Sequence, residues 1–121
     1  MESPIISIYS FGFNHGGVDD ANIVYDVSFL KGPDDKHLDG LDERTKNLIL
    51  GQKDANEFIA KFAPLLKDTI IKLLAKERSN ITIAIGSDEG KHRSPAIVHE
   101  LARRLESPDW KIVEWHRDIL K

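Results

Sequence analysis

Apolar residues follow two different periods along the chain. Ile5-Ile6-Ser7-Ile8-Tyr9-Ser10-Phe11 is β-branched and aromatic with near alternation, which predicts a strand. A glycine-rich turn, Gly12-Phe13-Asn14-His15-Gly16-Gly17, follows it, and Asn22-Ile23-Val24-Tyr25-Asp26-Val27 predicts a short second strand. The polar segment from Lys31 to His37 contains Gly-Pro and reads as a loop. From there the period lengthens. Asp39 to Gly51 predicts a short helix. Asp54-Ala55-Asn56-Glu57 then reads as a capping box, with Asp54 the cap and Glu57 three residues on. Ala55, Phe58, Ile59, Phe62, Leu65, Leu66, Ile70, Leu73 and Leu74 recur at three- and four-residue steps, one apolar face of a long helix. Pro64 inside that pattern predicts a kink or a division.

Ile81-Thr82-Ile83-Ala84-Ile85-Gly86 is almost continuously apolar, as in a strand covered by helices on both sides. Ser94-Pro95 predicts a helix start, serine capping and proline in the first position. Ile97, Val98, Leu101, Ala102 and Leu105 form its buried face, and Lys111 to His116 is a last strand. The strand–helix–strand order from Ile81 to His116 makes a parallel crossover. The expected architecture is therefore one α/β domain over residues 1–121, with helices packed on a mixed or mostly parallel sheet.

Composition narrows the function. Apolar residues are 40% and charged residues 31% of the chain, a globular balance. There is no cysteine, which excludes disulfides, thiolate chemistry and cysteine zinc sites in this sequence. No secretion signal or membrane-length apolar run is visible, so a cytoplasmic setting is the expectation. The net charge of −3, with acids and bases interspersed, argues against a dedicated nucleic-acid binder.

The chemistry concentrates in Gly86-Ser87-Asp88-Glu89-Gly90-Lys91-His92-Arg93-Ser94, between the best strand and a helix start. Ligands gather at the carboxyl ends of strands in open α/β sheets, and helix N-termini favour anions. Lys91, His92 and Arg93 add cationic donors, Arg93 being able to grip a phosphate with two parallel bonds. Ser87 and Ser94 add hydroxyls. Asp88 and Glu89 count against a phosphate cradle. Taken one by one, these charges read as solvated loop residues; taken together they predict anion binding.

This segment resembles "AIGCTGGKHRS" in the C-terminal domain of the RapZ family of RNase adapter proteins. Ser10 to Gly16 is similar to that family's "SFGFKxG", Ala21 to Leu30 to "ADxVFDVRFL", and Gly40-Leu41-Asp42 to "TGLD"; His116-Arg117-Asp118 closes the match. The resemblance spans nearly the whole chain and implies a regulatory domain that binds an amino-sugar phosphate and couples that state to an RNA or protein partner, with self-association. It carries Gly86, Gly90, Lys91, His92, Arg93 and Ser94 over as ligand-binding residues. His15, Asp26, His116 and Arg117 fall at strand ends that would complete the pocket. Ser87 stands where the family has cysteine, Asp88-Glu89 where it has Thr-Gly, and Ser28 where it has arginine. The basic tail that serves RNA binding in the family is not seen after Lys121.

Rival readings are weaker. Ser87 to Arg93 has the spacing of a cysteine-x5-arginine phosphatase loop, so a small phosphate-ester hydrolase is the alternative, but serine without a nearby base is a poor nucleophile. His116-Arg117-Asp118 has the letters of a kinase catalytic loop without its downstream asparagine. His15, Asp19, Asp20, Asp34, Asp35 and His37 share no metal-ligand spacing. No cofactor is expected, and binding without catalysis is the preferred reading. His99 is expected to be structural, and Trp110 and Trp115 to sit in the core or an interface.

Overall fold

In the computed structural model, which describes residues 3–33 and 38–121, the strands β1 (Ile5–Gly12), β2 (Ile23–Asp26), β3 (Asn80–Ser87) and β4 (Lys111–His116) form one sheet in the order β2-β3-β1-β4. All three pairings are parallel. The helices are α1 (Glu43–Leu50), α2 (Lys53–Leu74) and α3 (Arg93–Arg104), and a single 3-10 turn, Phe13–His15, follows β1. The sheet is thus wholly parallel, the stricter of the arrangements expected. Among the described residues no helix is long and apolar enough to cross a membrane. The predicted loop around Asp34, Asp35 and His37 lies outside the described residues.

Both helix-bearing crossovers, β2 to β3 and β3 to β4, travel in the same direction across the sheet. One handedness therefore places all three helices on one face. Ile6 and Ile8 of β1 and Ile81, Ile83 and Ile85 of β3 point into that layer. They form one buried cluster with Ile49 of α1, Ile59, Leu66 and Ile70 of α2, and Ile97 and Leu101 of α3. The connection from β1 to β2 travels the other way, and its Val18 and Ala21 cover Tyr9, Phe11 and Ala84 on the opposite face. The expectation of helices on both sides of β3 is corrected accordingly. The continuous apolarity of β3 comes from a helical layer on one side and a thin loop layer with aromatic rings on the other.

Three local expectations change. Asp54 does not cap α2: Gln52 precedes the helix, without a side-chain cap, and spends its amide on the backbone of Lys31. The carboxylate that caps is Asp42, which accepts from the N–H groups of Arg44 and Thr45 at the start of α1. Pro64 does not divide α2, which runs 22 residues through it. Leu65 leaves the apolar face and is 58% exposed, while Ala63 is buried. Trp110 is buried with its indole N–H donating to the Leu105 carbonyl, whereas Trp115 stacks on Tyr9 at 4.1 Å on the loop-covered face.

Candidate functional site

The carboxyl ends of β1 and β3 lie side by side, Gly12 opposite Ser87, so the loops leaving them must share one small volume. Glycine makes this fit. A Cβ on Gly12 would lie 2.3 Å from the Glu89 carbonyl, and one on Gly90 would lie 2.5 Å from the Gly12 nitrogen. Gly90 also has φ +77, a left-handed conformation that costs other residues energy. The two loops therefore dock backbone to backbone.

Beside this contact is a hollow of about 340 Å³, lined by Gly32, Ser87, Glu89, Gly90, Lys91, His92 and Arg93. Its size suits a small phosphorylated metabolite. A larger hollow of about 530 Å³, between Tyr25, Phe29, Phe58, Phe62 and Leu65, is aromatic, with Asp54, Glu57 and Lys61 beside it. The smaller one carries the convergent charged groups, so chemistry points there.

Arg93 is more deeply engaged than the sequence suggests. Its Nη1 donates to the Ser28 carbonyl at 2.7 Å and the Leu30 carbonyl at 3.2 Å, and its Nη2 pairs with Asp88 at 3.0 Å. Asp88 is turned out of the hollow toward Arg93, with the Ser28 hydroxyl also donating to it. An anion arriving at Arg93 thus competes with a carboxylate of the chain itself. The helix start offers less than expected too. α3 begins at Arg93 with His92 before it, so Ser94 is not the cap and Pro95 not the first residue. Ser94 is fully buried: its N–H donates to Ser87 Oγ, the two hydroxyls bond at 2.8 Å, and Ser94 Oγ donates to the Phe11 carbonyl. These serines tie the loop to β1. With the Ser94 N–H occupied and Pro95 lacking one, side-chain cations carry most of the site's attraction for anions.

Glu89 also lines the hollow. Asn14 Nδ2 donates to its Oε1 at 2.6 Å, and His15 Nε2 lies 3.3 Å from its Oε2. The Asn14 hydrogen bond, against a smaller opposing effect of desolvation and with help from His15 and Lys91, holds the Glu89 carboxyl below its ordinary range. It is ionised at neutral pH. His15 therefore reaches the hollow's rim through Glu89.

The other predicted residues do not line this hollow. Asp26 turns its Oδ1 to the Ser28 N–H, closing the turn after β2. His116 points toward the helical layer, Nδ1 against Ser10 Oγ and Nε2 against Glu114, whose carboxylate also meets His99. Hydrogen bonding from His116, opposed by burial and assisted by His99, lowers the Glu114 carboxyl. His99 is thus a partner in this network, in keeping with a structural role. Arg117 is a staple: its guanidinium donates to the carbonyls of Gly16 at 2.6 Å and Gly17 at 2.9 Å and lies over the Phe11 ring.

Asp118 is fully buried. Its Oδ2 accepts from the Gly12 N–H at 2.7 Å and from Arg117, and its Oδ1 meets Lys121 at 2.7 Å. Burial alone would raise its carboxyl, but these donors outweigh that and hold it at about 2. Its adjacency to Arg117 was the available signal; that the pair turns inward under Gly12 was not. Among the described residues no group of His, Asp and Glu is arranged to hold a metal ion.

The family model of the RapZ C-terminal domain matches residues 4–120. The chain belongs to that family. A nucleotide-binding protein of Finegoldia magna is 40% identical over 117 residues, covering 93% of this chain and 41% of the relative. One of Saccharopolyspora erythraea is 37% identical over 119 residues, 94% of this chain and 41% of its own. One of Corynebacterium efficiens is 39% identical, with 94% and 38% covered. The chain spans about two-fifths of these RapZ-family relatives.

Proposed function

We propose that this RapZ-family domain is a regulatory module that binds a phosphorylated small molecule of the amino-sugar phosphate kind, and does no chemistry on it. The observation that carries the reading is the hollow at the ends of β1 and β3, where Lys91, Arg93 and the start of α3 converge in a volume of about 340 Å³. That relatives bear the name nucleotide-binding protein agrees with a phosphorylated ligand. Hydrolysis draws no support from Ser87, which is 1% exposed and bonded to Ser94. An RNA or protein partner and self-association remain part of the proposal through the family resemblance; a cytoplasmic setting goes with them.

The test is a thermal-shift screen of sugar phosphates, inorganic phosphate and sulfate on wild type and Lys91→Ala. Lys91 is the informative position, because Arg93 also holds the Ser28 and Leu30 carbonyls and its loss would perturb the fold. A ligand at a hundredfold its Kd stabilises the native state by about 2.7 kcal/mol. Stabilisation of wild type by a sugar phosphate, reduced at least tenfold in affinity by Lys91→Ala, is the expected result. Failure of every anion to shift wild type refutes the reading.

A further inference from the structure

The larger hollow, of about 530 Å³, shares no lining residue with the anion site and has a different chemistry. It opens at an edge of the sheet. β2 pairs with β3 on one side and has no strand among the described residues on the other. Tyr25 of β2 turns its ring toward α2, 5.0 Å from Phe58 and 4.9 Å from Phe62, and Phe29 stands edge-on to Phe58 at 6.0 Å. Tyr25 and Phe29 are 42% and 53% exposed, so aromatic surface faces solvent beside an unpaired strand. The wall is also fixed, because Arg93 clasps the carbonyls of Ser28 and Leu30 on either side of Phe29. An open strand edge offers a peptide backbone hydrogen bonds, and a pocket next to it selects a side chain.

Charge decides which side chain. Asp54 and Glu57 line the hollow about one turn apart on α2. Among the described residues Asp54 forms no ion pair, and Glu57 meets Lys53 at 3.8 Å on the open surface. Lys61 also lines the hollow, but two turns beyond Asp54, about 10 Å along the helix. The end near Asp54 and Glu57 is therefore acidic, and the faces of the rings add negative potential. A guanidinium answers both surfaces, since it stacks on aromatic rings and pairs with a carboxylate through two parallel bonds.

We propose that this edge is a docking site for an extended segment of a protein partner, which adds a strand beside β2 and places an arginine in the aromatic hollow. Side chains on an added strand alternate between faces, and the residue beside Tyr25 points toward α2 as Tyr25 does. The arginine is that residue, its stem along the rings and its guanidinium at Asp54 and Glu57. Its two neighbours face the other way, beside the exposed Val24, so β-branched residues suit those places.

Titrating an acetylated, amidated threonine-valine-arginine-valine-threonine peptide into isotope-labelled protein, followed by NMR, tests this. The peptide is expected to move the amide resonances of Ile23 to Asp26 and the ring resonances of Tyr25, Phe29 and Phe58. A peptide with citrulline for arginine should bind roughly tenfold more weakly. The double substitution Asp54→Asn and Glu57→Gln should bring the arginine peptide down to the citrulline level, with a near-ultraviolet circular dichroism spectrum like that of wild type. Methylating alternate backbone nitrogens of the peptide should abolish binding in one alternation and spare it in the other, because every second N–H faces β2. Equal affinity of the arginine and citrulline peptides, or no loss in the double variant, overturns the arginine assignment. Binding that survives both methylation patterns overturns strand addition. A leucine peptide that binds more tightly makes the occupant an apolar anchor, and movement of the same resonances with protein concentration alone makes it a second copy; either overturns the proposal. So does the absence of any shift at millimolar peptide, a result that leaves the anion site and the proposed function standing.

Discussion

Asp118→Asn is the sharpest probe of how this site is held together. The substitution keeps the size of the side chain and one carbonyl oxygen for the Gly12 N–H, but removes the charge that faces Arg117 and Lys121. Lowering the carboxyl from its ordinary 3.8 to about 2 corresponds to about 2 kcal/mol in favour of the ionised form in the folded chain. The sign follows from the direction. A carboxyl depressed by folding adds stability fully above its unfolded pKa, and that stability is lost as pH falls through the folded value. Urea unfolding at pH 7 should therefore find Asp118→Asn about 2 kcal/mol less stable than wild type. The gap should shrink between pH 4 and pH 2 as the wild-type carboxyl takes up its proton. A larger loss is not expected, because Lys121 is 51% exposed at its side chain and can rehydrate once its partner is neutral. A gap as wide at pH 2 as at pH 7, or below about 0.5 kcal/mol at pH 7, would refute the assignment of Asp118 as an ionised buried brace.

Two other substitutions probe the loops around the hollow. Gly90→Ala forces a left-handed conformation on alanine and drives its Cβ to 2.5 Å from the Gly12 nitrogen, so urea unfolding should show a loss above about 2 kcal/mol; a loss under 0.5 would mean the two loops dock loosely. Arg93→Lys abandons the carbonyls of Ser28 and Leu30, which flank Phe29, and should cost about 1–3 kcal/mol while shifting the Phe29 ring resonances in NMR; unchanged resonances would show that the clasp does not hold that turn.

The elements of the fold were readable where a single physical rule dominates. The apolar run of β3 and the three- and four-residue spacing of α2 each arise from burial against a continuous layer, and both elements appear where the pattern puts them. Errors came where two rules compete over one or two residues. Leu65 fits the spacing of the buried face, but Ala63 takes the interior place and Leu65 borders the aromatic hollow instead. Asp54 has the spacing of a cap, yet Gln52, the residue before the helix, is held by Lys31, twenty-one positions earlier, and α2 starts at Lys53 with Asp54 already inside its first turn. The side on which helices pack was not readable from β3 alone, because a parallel strand buried on both faces looks the same whether its second cover is a helix or a loop.

The site was legible as a location more than as a mechanism, and the reason lies in how charge is partitioned between Asp88 and Glu89. In the sequence the two carboxylates are adjacent and equivalent, and both weigh against an anion. In the fold, successive positions of the turn face opposite ways: Asp88 meets Arg93 and Ser28, while Glu89 meets Asn14 and His15 and borders the hollow. The first carboxylate is the partner that an anion arriving at Arg93 would have to displace, and the second places a negative charge on the wall of the hollow. Neither consequence follows from composition. The second follows from Gly12 and Gly90, whose close approach brings Asn14 and His15 within reach of Glu89 across a sequence separation of some seventy-five residues. The arrangement of charge around the hollow is therefore built by the docking of two loops, and any substitution that separates them should disturb the hollow before it weakens the sheet beneath.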